Sequence, residues 1–313
     1  MGHLSLLTLR VFSFLVVLLG TLPLSIGAQD IAERMPRLAG YRASLLDSDP
    51  EAPRRLARLW QSWQEHNVST AEALELTTLG SINGRVFGAD HLTVRRQVER
   101  TVAEPSVTAR YGAEAHRTLM ENAELIGLVE LGLLAPEYPH VMQAEAPVLT
   151  ELAYYAIEPG DRVAEIAAGT GTFARVLHVL YPDITVYANE VDTNFVAYYG
   201  ALLNQYPETL REGTLIPVQG SKRSLGLPEP VDHVIIRNSF HHFTRPRAML
   251  RSIREALRPG GRLYLLEPED PAASSCPQVV SPAKTRMRLR AAGYRLLAEH
   301  HLSPWRLYVF TAE

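Results

Sequence analysis

Residues 165–174 read EIAAGTGTFA: an acid, three small or apolar residues, then a Gly-x-Gly turn running into an apolar stretch. The run RVAEIA (162–167) is short, apolar and strand-like, and FARVLHVLY (173–181) has helical spacing. Strand, glycine-rich turn and helix together present backbone N–H groups at a helix start to a ligand. In an open parallel sheet that turn lies at the carboxyl end of its strand, where ligands bind.

Downstream, strand-like and helix-like runs alternate. ITVYANE, TLIPVQ, VDHVIIRN and GRLYLLEP read as strands, and NFVAYYGALLNQY and RAMLRSIREAL read as helices. This rhythm predicts a parallel α/β sheet with helices on both faces. AKTRMRLRAAG then forms a helix, and YRLLAEHHL and WRLYVFTA, separated by Ser303-Pro304, pair as an antiparallel hairpin at the sheet edge. Upstream, VLTELAYYAI reads as a helix stopped by EPGD. Residues 29–140 read as a helical region: in PRRLARLWQSWQEH, Leu56, Leu59, Trp60 and Trp63 recur on one face. The tryptophans there read as packing residues. Asn67-Val68-Ser69 matches a glycosylation triplet, but Ser69 with Glu72 also makes a capping box.

Residues 1–28 have the layout of a secretory signal. MGHLSLLTLR is free of acids, VFSFLVVLLGTL is apolar, and Pro23, Ser25, Gly27 and Ala28 form a small-residue exit. A spanning helix wants roughly 20 apolar residues, so a cleaved signal and export to a periplasm or the exterior is the expectation. The alternative is an uncleaved anchor giving membrane association, because Arg34, Arg37 and Arg42 follow the segment. The 313 residues carry a net charge of −3, which provides no basic field for nucleic acid. A single cysteine, Cys276, excludes an intramolecular disulfide, and no histidine or carboxylate cluster has metal-ligand spacing.

Gly169-x-Gly171-x-x-Ala174 alone also fits a dinucleotide fingerprint. Glu165 at the turn suits a ligand's amino group and opposes a pyrophosphate, whereas Glu190, ending the next strand, suits ribose hydroxyls in either case. Taken with VIIRNSFHHF, LRPGGRLYLLEP and the terminal hairpin, EIAAGTG and Glu190 resemble the motif set of class I S-adenosylmethionine-dependent methyltransferases. The resemblance spans residues 140–313 and leaves 30–140 uncovered. It implies a Rossmann-like, seven-stranded, mostly parallel sheet in residues 141–313, with S-adenosyl-L-methionine as cofactor. It further implies that Glu165, Gly169 and Gly171 hold the methionine end and Glu190 the ribose. Gly220 and Ser221 would lie at the adenine, and Asn238 beside the cofactor. Two positions depart from the family pattern. Ala167 replaces the first glycine, which is tolerable at an ordinary φ, and Ser221 replaces an acid at the adenine amine, where its hydroxyl can still accept.

The expected activity is methylation of a small-molecule acceptor by in-line transfer, with alignment and desolvation as the protein's share. His241 and His242 are the candidate bases, since histidine titrates near neutral pH. Their other reading is capping or packing. Glu267 either lines the acceptor pocket or is a solvated strand-end acid, and His300 and His301 are structural or solvent-facing. Arg247, Arg251, Arg254 and Arg258 form a basic stripe on one helix face, and DPAASSCPQVVSPAK is a long loop after the fifth strand. The rival functions are an exported, catalytically silent binding protein of the same fold and an NAD(P)-dependent oxidoreductase.

Overall fold

The computed structural model describes residues 150–205, 214–272 and 278–313, with helical residues between 34 and 47. The leader, nearly all of the 29–140 region, the Asn67 triplet and Cys276 lie outside the described residues.

A 3₁₀ turn, Thr150–Tyr154, precedes strand β1 (Arg162–Ile166). The chain continues through α1 (Thr172–Leu180), β2 (Thr185–Glu190), α2 (Thr193–Gln205), β3 (Thr214–Gln219) and β4 (Val231–Arg237). A second 3₁₀ turn, Phe240–His242, leads to α3 (Pro246–Ala256), β5 (Leu257–Pro268), α4 (Pro282–Ala291), β6 (Tyr294–Leu302) and β7 (Trp305–Ala312). All seven strands form one sheet in the order β3-β2-β1-β4-β5-β7-β6. The first five are parallel; β7 runs antiparallel between β5 and β6. The expected fold class and terminal hairpin are both observed.

The strands at the centre are apolar on both faces because both faces are covered. Val163, Ile235, Tyr264, Leu307 and the α1 residues Phe173 and Leu177 form one core. Ala164, Val234, Leu263, Leu265 and the α3 residues Leu250 and Ile253 form the other. Period-2 alternation thus sorts each strand's side chains between two layers. Near the N-terminus, Leu38 and Tyr41 are buried in the first core. Arg34 Nη1 donates to the Leu180 carbonyl at 2.8 Å and lies over the Tyr181 ring, satisfying a carbonyl that the end of α1 leaves open.

Three expectations change. The described part of VLTELAYYAI contains a 3₁₀ turn and no α-helix. The strand expected over GRLYLLEP starts earlier, with the Pro-Gly-Gly segment inside β5 as an irregularity: Leu257 already pairs with Val231, and pairing resumes at Arg262 opposite His233. Consequently Arg258 is not on the helical stripe. It lies in β5 and its Nη1 donates to both carboxylate oxygens of Asp232 at 2.9 Å, while Arg247, Arg251 and Arg254 stay on α3, exposed.

Candidate active site

The carboxyl ends of β1, β2, β4 and β5 lie along one edge of the sheet, and the candidate residues gather there. β1 ends at Ile166, and Ala167 follows with φ +60°. The expectation of an ordinary φ at Ala167 is overturned: closing the turn puts this alanine in the left-handed region, where a Cβ is strained. The turn then runs through Gly169 (φ 55°) to Gly171 (φ 73°), the N-cap of α1. Gly171 is required twice over, by its φ and because an added Cβ would lie 2.5 Å from the Tyr199 ring.

Glu190 anchors this turn. One carboxylate oxygen accepts from Gly169 N–H at 3.0 Å, and the other accepts from Val191 and Asp192 N–H at 2.6 and 3.1 Å. Ionised carboxylates have about four acceptor sites, so one remains for a hydroxyl. Beyond β3, Gly220 N–H donates to the Glu190 carbonyl, and a Cβ on Gly220 would press on the Asn189 amide at 2.7 Å. The Ser221 hydroxyl is spent on its own turn. It accepts from Arg223 and Ser224 N–H and donates to the Ser224 carbonyl. Its expected role as a free acceptor for an adenine amine is therefore corrected: the local turn competes for its lone pairs.

Glu165 is 5% exposed. It accepts from the N–H of Ala174 in the first turn of α1, and its Oε2 is buried without a hydrogen-bond partner. Burial, opposed chiefly by Arg237, pushes its carboxyl up to about 8. Beside it stands a group that no sequence pattern singled out. Glu151 is fully buried and accepts from Arg237 Nε and Nη2 at 2.7 and 2.6 Å. The Arg237 guanidinium lies 4.4 Å from the Phe173 ring centroid. The Tyr155 hydroxyl nearby is buried and unpartnered, and burial next to Glu151 raises it well above the usual tyrosine range. An arginine ending the apolar run VDHVII is the one signal that could have flagged this cluster.

Asn238 follows β4 at φ +50°, its N–H donating to the Leu266 carbonyl at 2.7 Å. Past it, the structure joins two candidates considered separately. His241 Nδ1 lies 2.6 Å from Glu267 Oε2, both side chains are buried, and Glu267 Oε1 accepts from Phe240 N–H. The reading of Glu267 as a solvated strand-end acid is thus overturned. His242 points elsewhere: it is exposed, and its Nδ1 meets Gln278 Oε1 at 2.8 Å. Partial burial and the adjacent His241 lower its basicity. His300 lies against Tyr154 with ring centroids 4.0 Å apart and the rings tilted by 31°, and His301 pairs with Glu269. Among the described residues no group of three or more histidines, cysteines or carboxylates could hold a metal ion.

An acid with a buried, unpartnered oxygen at a helix start, a second acid gripping the glycine turn and a histidine–carboxylate pair at the next strand end suit a cationic nucleoside cofactor and an acceptor that must lose a proton. Residues 164–263 match the family model described as a methyltransferase domain. A reducing polyketide synthase, grgA of a Penicillium species, is 32% identical over 154 residues, covering 48% of this chain and 6% of that protein. A highly reducing polyketide synthase, pkhB of Emericella nidulans, is 28% identical over 113 residues, covering 35% and 4%. The chain therefore spans a small fraction of the length of the curated relatives it matches. Among solved structures, a SAM dependent methyltransferase from Aquifex aeolicus is similar over 56% of this chain and 93% of its own, at 18% identity and a TM-score of 0.47. The match over residues 164–263 and the order of the sheet support a class I S-adenosylmethionine-dependent methyltransferase domain in the C-terminal part of the chain.

Proposed function

We propose that the protein methylates a small acyl acceptor of polyketide type, using S-adenosylmethionine as methyl donor and His241 as the base that removes the acceptor's proton. When bound, the cofactor supplies an electrophilic methyl group on a sulfonium. Glu165 and the glycine turn would hold its amino-acid end, and Glu190, with one acceptor site left, its ribose. The unpartnered Glu165 oxygen fits an ammonium group, which a pyrophosphate-bearing dinucleotide does not offer there.

The buried His241–Glu267 pair carries this reading. Glu267 accepts from Nδ1–H, which fixes the tautomer and leaves Nε2 as the basic nitrogen. It also stabilises the imidazolium formed when a proton is taken up. In-line transfer then asks the chain to align the acceptor with the methyl group and to exclude water, and burial at this strand end serves both needs. The acceptor class follows the relatives, whose names describe polyketide synthases. The export reading of residues 1–28 belongs to the proposal too; sequencing the N-terminus of the native protein tests it.

The direct test is calorimetric titration of the full chain with S-adenosylmethionine, followed by a methyl-transfer assay on a 3-oxoacyl thioester. His241→Ala and Glu267→Gln are expected to lower the transfer rate by about 10²–10⁴ with little change in cofactor affinity, the usual share of a positioned base. His242→Ala should lose no more than a few-fold. Failure to bind the cofactor below millimolar concentration would sink the methyltransferase reading and favour a catalytically silent fold relative.

A further inference from the structure

The cluster on the α1 side of the strand ends contains more buried acid than the methyl-transfer reading uses. Glu151 lies in the 3₁₀ turn before β1, Glu165 is the penultimate residue of β1 and Arg237 ends β4; Glu151 and Glu165 are at most 5% exposed. The Arg237 guanidinium is committed to Glu151 Oε1 through two donors and to the face of Phe173. Glu151 Oε2, Glu165 Oε2 and the Tyr155 hydroxyl are all buried with no hydrogen-bond partner. The other charged groups facing Glu165 are Glu190 from β2 and Arg175 from α1. Glu165 Oε2 is thus left without a donor while the Arg237 guanidinium is held by Glu151. A buried carboxylate in that position holds a proton or waits for a cation.

Resting on the cofactor assigned above, we propose that Arg237 is a positioning residue. Its commitment to Glu151 leaves Glu165 protonated, so that binding of the cofactor's ammonium end displaces that proton to solvent. On this view cofactor affinity is proton-linked through a residue that need not touch the cofactor. The displacement of the Glu165 carboxyl toward 8 by burial is consistent with its unpartnered oxygen. Glu151 becomes the selector: without its charge Arg237 turns to Glu165, which then ionises before any ligand arrives.

Titrating the full chain with S-adenosylhomocysteine at pH 6.5 in buffers of low and high ionisation enthalpy tests this without turnover. The ligand's own α-amino group stays protonated there, since such groups titrate near 7.7–8.0. Close to one proton should be released per ligand bound, and affinity should rise about tenfold from pH 5.5 to 6.5. Glu165→Gln should abolish the release. Glu151→Gln should reduce it sharply while binding persists, a response that a merely structural Glu151 would not produce. If Glu151→Gln melts too low to titrate, the Glu165→Gln comparison and the wild-type pH dependence decide. Tight binding with no proton release overturns this inference and leaves the methyltransferase reading standing; absence of binding overturns both.

Discussion

Ala167→Gly should make the protein more stable, against the usual direction of point substitutions. Ala167 sits at φ +60°, where an L-residue's Cβ crowds the following carbonyl oxygen at a cost of about 1–2 kcal/mol. Glycine adopts that conformation freely, but its looser unfolded chain returns about 0.4–1 kcal/mol of the gain. The residue is half-buried, so losing its methyl removes little packing. The net is about 0.5–1 kcal/mol in favour of the variant, or about 1–4 °C in Tm at this chain size. Gly169→Ala supplies the reciprocal measurement. Gly169 lies at φ 55°, and an added Cβ there meets nothing within 4 Å, so the same backbone effect appears alone and with opposite sign. Scanning calorimetry of the full chain and both variants in one buffer reads the pair. A lower Tm for Ala167→Gly, or an unchanged one for Gly169→Ala, would show that the turn does not hold these residues left-handed.

Gly171→Ala should cost more than Gly169→Ala, by about 1–3 kcal/mol, because its Cβ also drives into the Tyr199 ring; chemical denaturation of the two variants checks the difference. With the Glu165 carboxyl at about 8 in the folded chain and near its ordinary value unfolded, the native state binds the extra proton between them. Its contribution is fully present below the unfolded value and is lost as pH rises toward 8. Glu165→Gln should therefore flatten the decline of Tm between pH 5 and 8. Arg237→Met should destabilise the chain by about 3–5 kcal/mol by stranding Glu151, whereas Arg237→Met with Glu151→Leu should recover most of that loss; a double-mutant cycle in urea measures the coupling.

What was legible in the sequence was what local pattern determines. The strand runs are apolar because each is covered on both sides, so VDHVII and LYLL announce their burial directly. The hairpin followed from two β-rich runs around Ser303-Pro304. The glycine turn and Glu190 could be placed because a strand end and a helix start are local features. Pairings set by the tertiary fold were not legible. Glu151 and Arg237 are 86 residues apart, and nothing in TELAY distinguishes a buried acid from a solvated one. His241 and Glu267 were each visible as candidates, but their pairing required β4 and β5 to be neighbours in register. The φ of Ala167 was hidden for a different reason. A small residue there is compatible with either hand of backbone, and closure of the turn onto Glu190 decides which.

Strand alternation also divides the site's work. Glu165 shares the face of Val163, Arg237 that of Ile235, and Glu190 that of Val186 and Ala188, all in the core under α1. Glu267 shares the face of Leu263 and Leu265, in the core under α3, and brings His241 with it. The acids that suit a cation and the pair that suits a proton acceptor therefore approach the strand ends from opposite faces of one sheet. Moving either acid by one position would carry it through the sheet to the other face, so their spacing from the buried strand residues matters as much as their charge. The separation also keeps two buried carboxylates, Glu165 and Glu267, from sharing one environment. Glu165 lies beside Arg237 and the start of α1, whereas Glu267 lies against His241. Substitutions at Glu165 should accordingly change ligand affinity and its pH dependence, and substitutions at Glu267 the rate of transfer, with little exchange between the two effects.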